Sequence, residues 1–149
     1  MTIAVDFDGT IVEHAYPRIG KPIPFAIDVL KKLQKEENHT LLLWTVREGA
    51  LLDEAVDYCA KNGIEFYAVN KNYPEEEEGE APRKLIADVF IDDKNIGGLP
   101  DWGLIYKTFL SGSYYFQDVD DYISDNKPKR KKNLFMRIGE AWDASQRYK

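Results

Sequence analysis

The residues of this chain best suited to doing chemistry together are acids that follow apolar runs. Thr2-Ile-Ala-Val5 leads into Asp6, with a second acid two residues on at Asp8 and then Gly9-Thr10. Thr40 to Trp44 leads into Thr45, and Val89-Phe-Ile91 leads into Asp92-Asp93, with Lys84 shortly before that last run. Carboxylate oxygens are hard ligands of the kind Mg2+ takes, and Mg2+ keeps several waters and bridges to phosphate. Acids gathered at one edge therefore imply a cation, because without one their mutual repulsion raises their pKa values and weakens the site. A hydroxyl residue and a lysine beside them suit phosphoryl transfer, whose catalysis is largely positioning and charge stabilisation.

For these residues to meet, the runs that carry them must be neighbouring strands. The apolar stretch before Asp6 reads as a buried strand entering a turn. Pro24 then opens a helix over about 24–36, in which Phe25, Val29, Leu30 and Leu33 recur at helical spacing. The next strand is Thr40 to Trp44. Thr45-Val46-Arg47-Glu48 has the pattern of a capping box, followed by an apolar helical face of Leu51, Leu52, Ala55, Val56 and Cys59 and a stop at Gly63. Ile64 to Val69 is a third strand. An acidic loop from Pro74 to Gly79 reads as solvated rather than metal-binding, and a short helix is expected over Pro82 to Ile86. The fourth strand, Val89 to Ile91, precedes a last helix from Trp102 to Leu110. Strands alternating with helices predict an α/β fold, a three-layer Rossmann-like sandwich on a central parallel sheet. Such sheets bind ligands beyond the carboxyl ends of their strands, where Asp6, Thr45 and Asp92 fall.

Composition narrows the classes. The 149 residues, 44% hydrophobic, suffice for one core. The longest uninterrupted apolar run, Leu41 to Trp44, is far short of the roughly 20 residues of a membrane span. No basic region precedes the first apolar run, so no signal peptide is read and a cytoplasmic location is expected. The single cysteine, Cys59, excludes an internal disulfide and a cysteine-built zinc site, and its helical position reads as packing. Residues 1–126 hold 12 Lys+Arg against 24 Asp+Glu, and residues 127–149 hold 8 against 2. An acidic body argues against broad nucleic-acid binding by the main domain.

Asp6-Phe7-Asp8-Gly9-Thr10 after a hydrophobic strand, Thr45 after a second, Lys84, then Asp92-Asp93 after a fourth resembles the haloacid dehalogenase (HAD) superfamily, most of whose members are phosphatases. The match spans about residues 1–98. The resemblance implies a HAD-like core over 1–111, an activity as a Mg2+-dependent phosphoric monoester hydrolase, and an aspartyl-phosphate intermediate on Asp6. It makes Asp8 the general acid/base, with its backbone carbonyl touching the metal, and Asp92 the second carboxylate ligand beside Asp6. Asp93 then orders a metal-bound water or the lysine. Gly9 lets backbone approach the phosphate, Thr45 and the amide of Val46 hydrogen-bond it, and Lys84 neutralises it. The acid two residues after Asp6 favours phosphoryl transfer over dehalogenation, because the family's dehalogenases lack it. Lys84 stands only eight residues before Asp92, an interval resembling that of the deoxyribonucleotidase branch. Arg83 competes with it, and Lys84 is preferred.

Family cap domains are inserted after the first motif or before the lysine motif. Here those intervals, 11–23 and 70–82, offer thirteen residues each, too few for an independent domain. By family analogy an uncapped site suits a bulky or macromolecular phosphorylated substrate, or a small one enclosed by a neighbouring subunit. His14, Tyr16, Arg18 and Lys21 are near enough in sequence to reach a substrate, although an ordinary surface role is the simpler reading of each. Arg47 either contacts phosphate or leaving group, or pairs with Glu48 or the acidic loop.

Residues 112–149 form a C-terminal extension. Lys127 to Lys132 is basic at five of six positions, and Leu134, Phe135, Ile138 and Trp142 then share a helical face. The preferred reading is a terminal helix docked on the acidic body or on a second subunit, giving a homo-oligomer. Membrane or nucleic-acid contact is the less favoured alternative, and disorder a third. Tyr114-Tyr115-Phe116 adds an edge strand or a packing patch. A non-enzymatic phosphate-binding or scaffolding module whose tail recruits a partner is the alternative to an enzyme. A signalling receiver domain fails, because its acceptor aspartate would follow the third strand, where Val69-Asn70 stands.

Overall fold

The computed structural model describes residues 1–77 and 84–112. Four short strands, β1 (Thr2–Val5), β2 (Thr40–Leu43), β3 (Ala68–Val69) and β4 (Val89–Ile91), and three helices, α1 (Ala26–Lys35), α2 (Gly49–Lys61) and α3 (Trp102–Ser111), follow in the order β1-α1-β2-α2-β3-β4-α3. The strands form one sheet in the order β3-β2-β1-β4, and every pairing is parallel. This is the Rossmann-like α/β architecture expected of the sequence, although among the described residues the three helices all pack on one face of the sheet, so the expected third layer is not seen there. Strand β1 is central because it is apolar at successive positions, so both of its faces are buried.

The period of two in the strands divides the core. Ile3, Val5, Leu41 and Leu43 point to the face covered by Val29, Leu30 and Leu33 of α1, Ala55 and Cys59 of α2, and Trp102, Ile105 and Phe109 of α3. Ala4, Leu42 and Ala68 point to the other face, where Leu85 of the β3-to-β4 connection packs with Trp44, Ala87 and Phe90 around it. Cys59 is buried in the larger cluster, where desolvation pushes its thiol up to about 12, an inert packing group.

Local structure departs from expectation at several points. Helix α2 begins at Gly49, and its N-cap Glu48 makes no side-chain capping bond. The Thr45–Glu48 capping box therefore does not form. The Thr45 hydroxyl instead accepts from the amide of Arg47 at 3.3 Å, which keeps this segment a turn between strand and helix. Of the third strand only Ala68 and Val69 pair with β2, while Ile64 is buried ahead of them. Residues 84–86 are not helical, so the short helix expected up to Ile86 is absent from the described part of that segment. Helix α3 is capped as its sequence allows, Asp101 accepting from the amides of Gly103 and Leu104 at 2.8 and 3.2 Å, with Gly112 closing it at φ 68°. Arg83, part of the acidic loop and all readings for residues 113–149 lie outside the described residues.

Candidate active site

The sheet carries its chemistry at one edge, as parallel topology dictates. Asp6 follows β1, Thr45 follows β2, Asn70 follows β3 and Asp92 follows β4. All but Asn70 border a cavity of about 360 Å³ lined by Asp6, Asp8, His14, Tyr16, Trp44, Thr45, Val46, Asp92, Asp93 and Lys94.

Asp6 is fixed by its neighbours. Its amide donates to Ile91 O at 3.0 Å, tying β1 to the end of β4. The Thr10 hydroxyl donates to Asp6 Oδ2 at 3.0 Å and accepts from the amide of Asp93 at 3.1 Å, so one fully buried threonine sets both acidic segments. Thr10 is itself held through its carbonyl, which accepts from the indole of buried Trp102 at 3.1 Å. Burial pushes the Asp6 carboxyl up to about 6. Hydrogen bonds from Phe7 and Thr10 pull it back, and the charges of Asp92 and Asp93 add to the rise.

Asp6, Asp92 and Asp93 each present a carboxylate oxygen within 4.8 Å of the others. Asp93 Oδ1 is buried and has no hydrogen-bond partner, while Oδ2 lies 2.9 Å from His14 Nε2 and 2.7 Å from Lys94 Nζ. An orphaned carboxylate oxygen beside two further acids fits a small oxygen-loving cation. The carboxylates gathered here are those of Asp6, Asp92 and Asp93; Asp8 lines the same cavity, but its carboxylate is paired with Arg47 instead. Burial would raise Asp93, but the bonds from Lys94 and His14 outweigh it and hold the carboxyl below its usual range. His14 Nε2 can serve only one partner at a time. Protonated, it donates to Asp93; unprotonated, it accepts from Lys94 Nζ at 3.1 Å.

Asp8 is buried, and both of its oxygens are engaged by Arg47: Nε donates to Oδ2 at 2.6 Å and Nη2 to Oδ1 at 2.7 Å. The guanidinium also donates to the carbonyls of Pro17 and Arg18, at 3.0 and 2.9 Å, and lies about 5 Å from the ring centres of Phe7 (5.1 Å) and Tyr16 (5.3 Å). Asp8 is the first cause of the raised pKa of Arg47, which stays charged although its side chain is fully buried. The partner of Arg47 is thus neither Glu48 nor the acidic loop.

Thr45 donates its amide to Asn70 Oδ1 at 2.8 Å, and because its hydroxyl oxygen accepts from Arg47, the hydroxyl proton is available to a ligand oxygen. Val46 is exposed at the rim. Gly9 has φ +94°, and a Cβ there would collide with the His14 ring and stand 2.8 Å from Asp93 Oδ2, so only glycine lets these groups close over the acids.

The lysine differs from expectation. Lys84 is exposed, with Nζ 4.7 Å above the Phe90 ring, and does not line the cavity. Lys94, on the turn after β4, does. Its nearness to Asp92 and Asp93 in sequence was the available signal, but the reading from spacing looked only upstream of the strand. Thr10, Trp102 and Asn70 were also missed as positioning groups. Of the loop residues near the first motif, His14 and Tyr16 reach the cavity, whereas Arg18 and Lys21 are not among its lining residues.

Neither a protein-family model nor a curated protein matches the chain. A solved structure does: a conserved protein from Bacteroides thetaiotaomicron is 62% identical, the match covering 80% of this chain and 97% of that one with a TM-score of 0.74. The chain belongs to the family of that protein. The relation extends across almost the whole of the Bacteroides chain, so the two share their fold. Among the described residues no helix is long and apolar enough to cross a membrane.

Proposed function

We propose that this chain is a HAD-type phosphatase, a Mg2+-dependent phosphomonoester hydrolase that uses Asp6 as nucleophile and Asp8 as general acid/base. The observation that carries the reading is the meeting of Asp6, Asp92 and Asp93, with a buried unpartnered oxygen on Asp93, beside an acid that is engaged separately. Mg2+ held by Asp6 and Asp92, with Asp93 at its side, would supply positive charge to a phosphoryl group and to the acids themselves.

The chain's own groups provide the rest. A carboxylate oxygen of Asp6 attacks phosphorus, and Thr10 keeps that carboxylate oriented. The Thr45 hydroxyl and the Val46 amide bond the phosphoryl oxygens, and Lys94 places a cation at the same mouth. Asp8 gives its proton to the departing oxygen and then takes one from the water that attacks the phosphorylated Asp6. Tyr16, Trp44 and Val46 line the same cavity, and an uncapped site suits a bulky or macromolecular phosphate ester. The alternative of a phosphate-binding scaffold rests on the C-terminal tail, and no feature of the described residues favours it.

The test is release of inorganic phosphate from an aryl phosphate with and without Mg2+, followed by a panel of sugar phosphates, nucleotides and phosphopeptides. Mg2+-dependent release that falls at least about 100-fold in Asp8→Asn is expected. A folded protein inert toward the whole panel would overturn the reading.

A further inference from the structure

Arg47 is the one fully buried cationic side chain among the described residues; it is not itself among the cavity-lining residues and does not join the cluster of Asp6, Asp92 and Asp93, but it reaches two residues that do line the cavity, Asp8 and Tyr16. A buried guanidinium must have its donors satisfied. Here four donors are spent, two on the oxygens of Asp8 and two on the carbonyls of Pro17 and Arg18. The carbonyls belong to the loop that carries Tyr16 into the cavity wall, and the rings of Phe7 and Tyr16 flank the guanidinium. Its orientation is therefore determined from several sides at once. A bidentate pair of this kind fixes the plane of a carboxylate as well as its position. Each Asp8 oxygen has two lone pairs and gives one to Arg47, which leaves the other open to a further partner.

We propose that Arg47 is a positioning residue for the leaving-group half of the reaction: anchored on Pro17 and Arg18, it holds the Asp8 carboxyl where it meets the departing oxygen. This rests on the phosphatase reading above and adds a residue to it. In the first step a carboxylate oxygen of Asp6 bonds to phosphorus, the ester P–O bond breaks, and the Asp8 proton passes to the departing alkoxide oxygen. In the second, water bonds to phosphorus, the Asp6–phosphorus link breaks, and a water proton goes to Asp8. Asp8 has to lie within hydrogen-bond reach of the oxygen opposite Asp6 in both steps, and the arginine supplies that placement without touching phosphate.

Leaving groups separate this role from a structural or phosphate-binding one. An alkoxide needs a proton to depart, whereas a dinitrophenolate does not. The value of kcat/KM for an alkyl phosphate and for dinitrophenyl phosphate is to be measured, with Mg2+, in wild type, Arg47→Met and Arg47→Lys. Lysine keeps the charge but cannot form the fork, and it serves as the readout should the methionine variant fail to fold. The expected result is a loss of about 100-fold or more on the alkyl ester and less than about tenfold on the aryl ester, in whichever variants are folded. Equal losses on both esters, or a rise in KM with kcat unchanged, would overturn the assignment. If wild type hydrolyses neither ester, the phosphatase reading fails and this one with it; active wild type with unselective Arg47 variants sinks the positioning role alone.

Discussion

Lowering the pH from about 7.5 to about 5 should weaken Mg2+ binding roughly tenfold, and the cause is one carboxyl. Asp6 titrates near 6 instead of 3.8, because burial disfavours its charge and Asp92 and Asp93 add repulsion, only partly offset by the Phe7 amide and the Thr10 hydroxyl. A proton and a cation compete for the same oxygen. Affinity should therefore fall about tenfold for each pH unit below 6 and level off above about 7. Stability of the metal-free protein has the opposite pH dependence. Folded Asp6 keeps its proton between 3.8 and about 6, where the unfolded chain has already lost it. Without the cation, stability falls as pH rises through that window, by about 3 kcal/mol for a shift of about two units. Asp6→Asn removes the penalty, so the metal-free variant should melt about 5–10 °C above wild type at neutral pH. It should also lose most of its stabilisation by Mg2+. Thermal melts and calorimetric titrations across the pH range check both statements. Equal Mg2+ affinity at both ends of the range, or an Asp6→Asn variant with an unchanged pH profile, would refute the reasoning.

Other outcomes follow from the same geometry. Thr10→Val removes the hydroxyl that donates to Asp6 and accepts from Asp93, and should cost about 1–3 kcal/mol by chemical denaturation and weaken Mg2+ binding, while Thr10→Ser retains both. Gly9→Ala forces a side chain into the His14 ring at φ +94° and should lose more than about 1 kcal/mol, seen as a lower melting temperature. Lys94→Met should reduce kcat/KM more than Lys84→Met does, because Lys94 lines the cavity and Lys84 lies over Phe90. A larger effect at Lys84 would return the phosphate-facing role to the upstream lysine.

The sheet was readable because its strands are buried on both sides and therefore appear as apolar runs, each ending at a polar residue. That pattern alone places Asp6, Thr45 and Asp92 at one edge of the sheet. The start of α2 was misread because Thr-x-x-Glu is a local signal, and the Thr45 hydroxyl had a competing partner in the Arg47 amide. The pairing of Arg47 with Asp8 spans 39 residues and depends on how the loop after β1 folds back, which no local spacing encodes. Thr10 belongs to the first motif, but its task is not legible there, since its two bonds join segments 83 residues apart. The family resemblance pointed upstream of β4 for a lysine, and the cation found at the cavity comes from the turn downstream.

The central claim is that Asp6 becomes covalently phosphorylated, and the most direct measurement is acid quenching of a reaction with a labelled phosphate ester in Mg2+, followed by peptide mapping. The account predicts label on the Asp6 peptide of wild type, none in Asp6→Asn, and phosphate release reduced at least about 1000-fold in that variant. Undiminished release by Asp6→Asn, or label on a different residue, would contradict it.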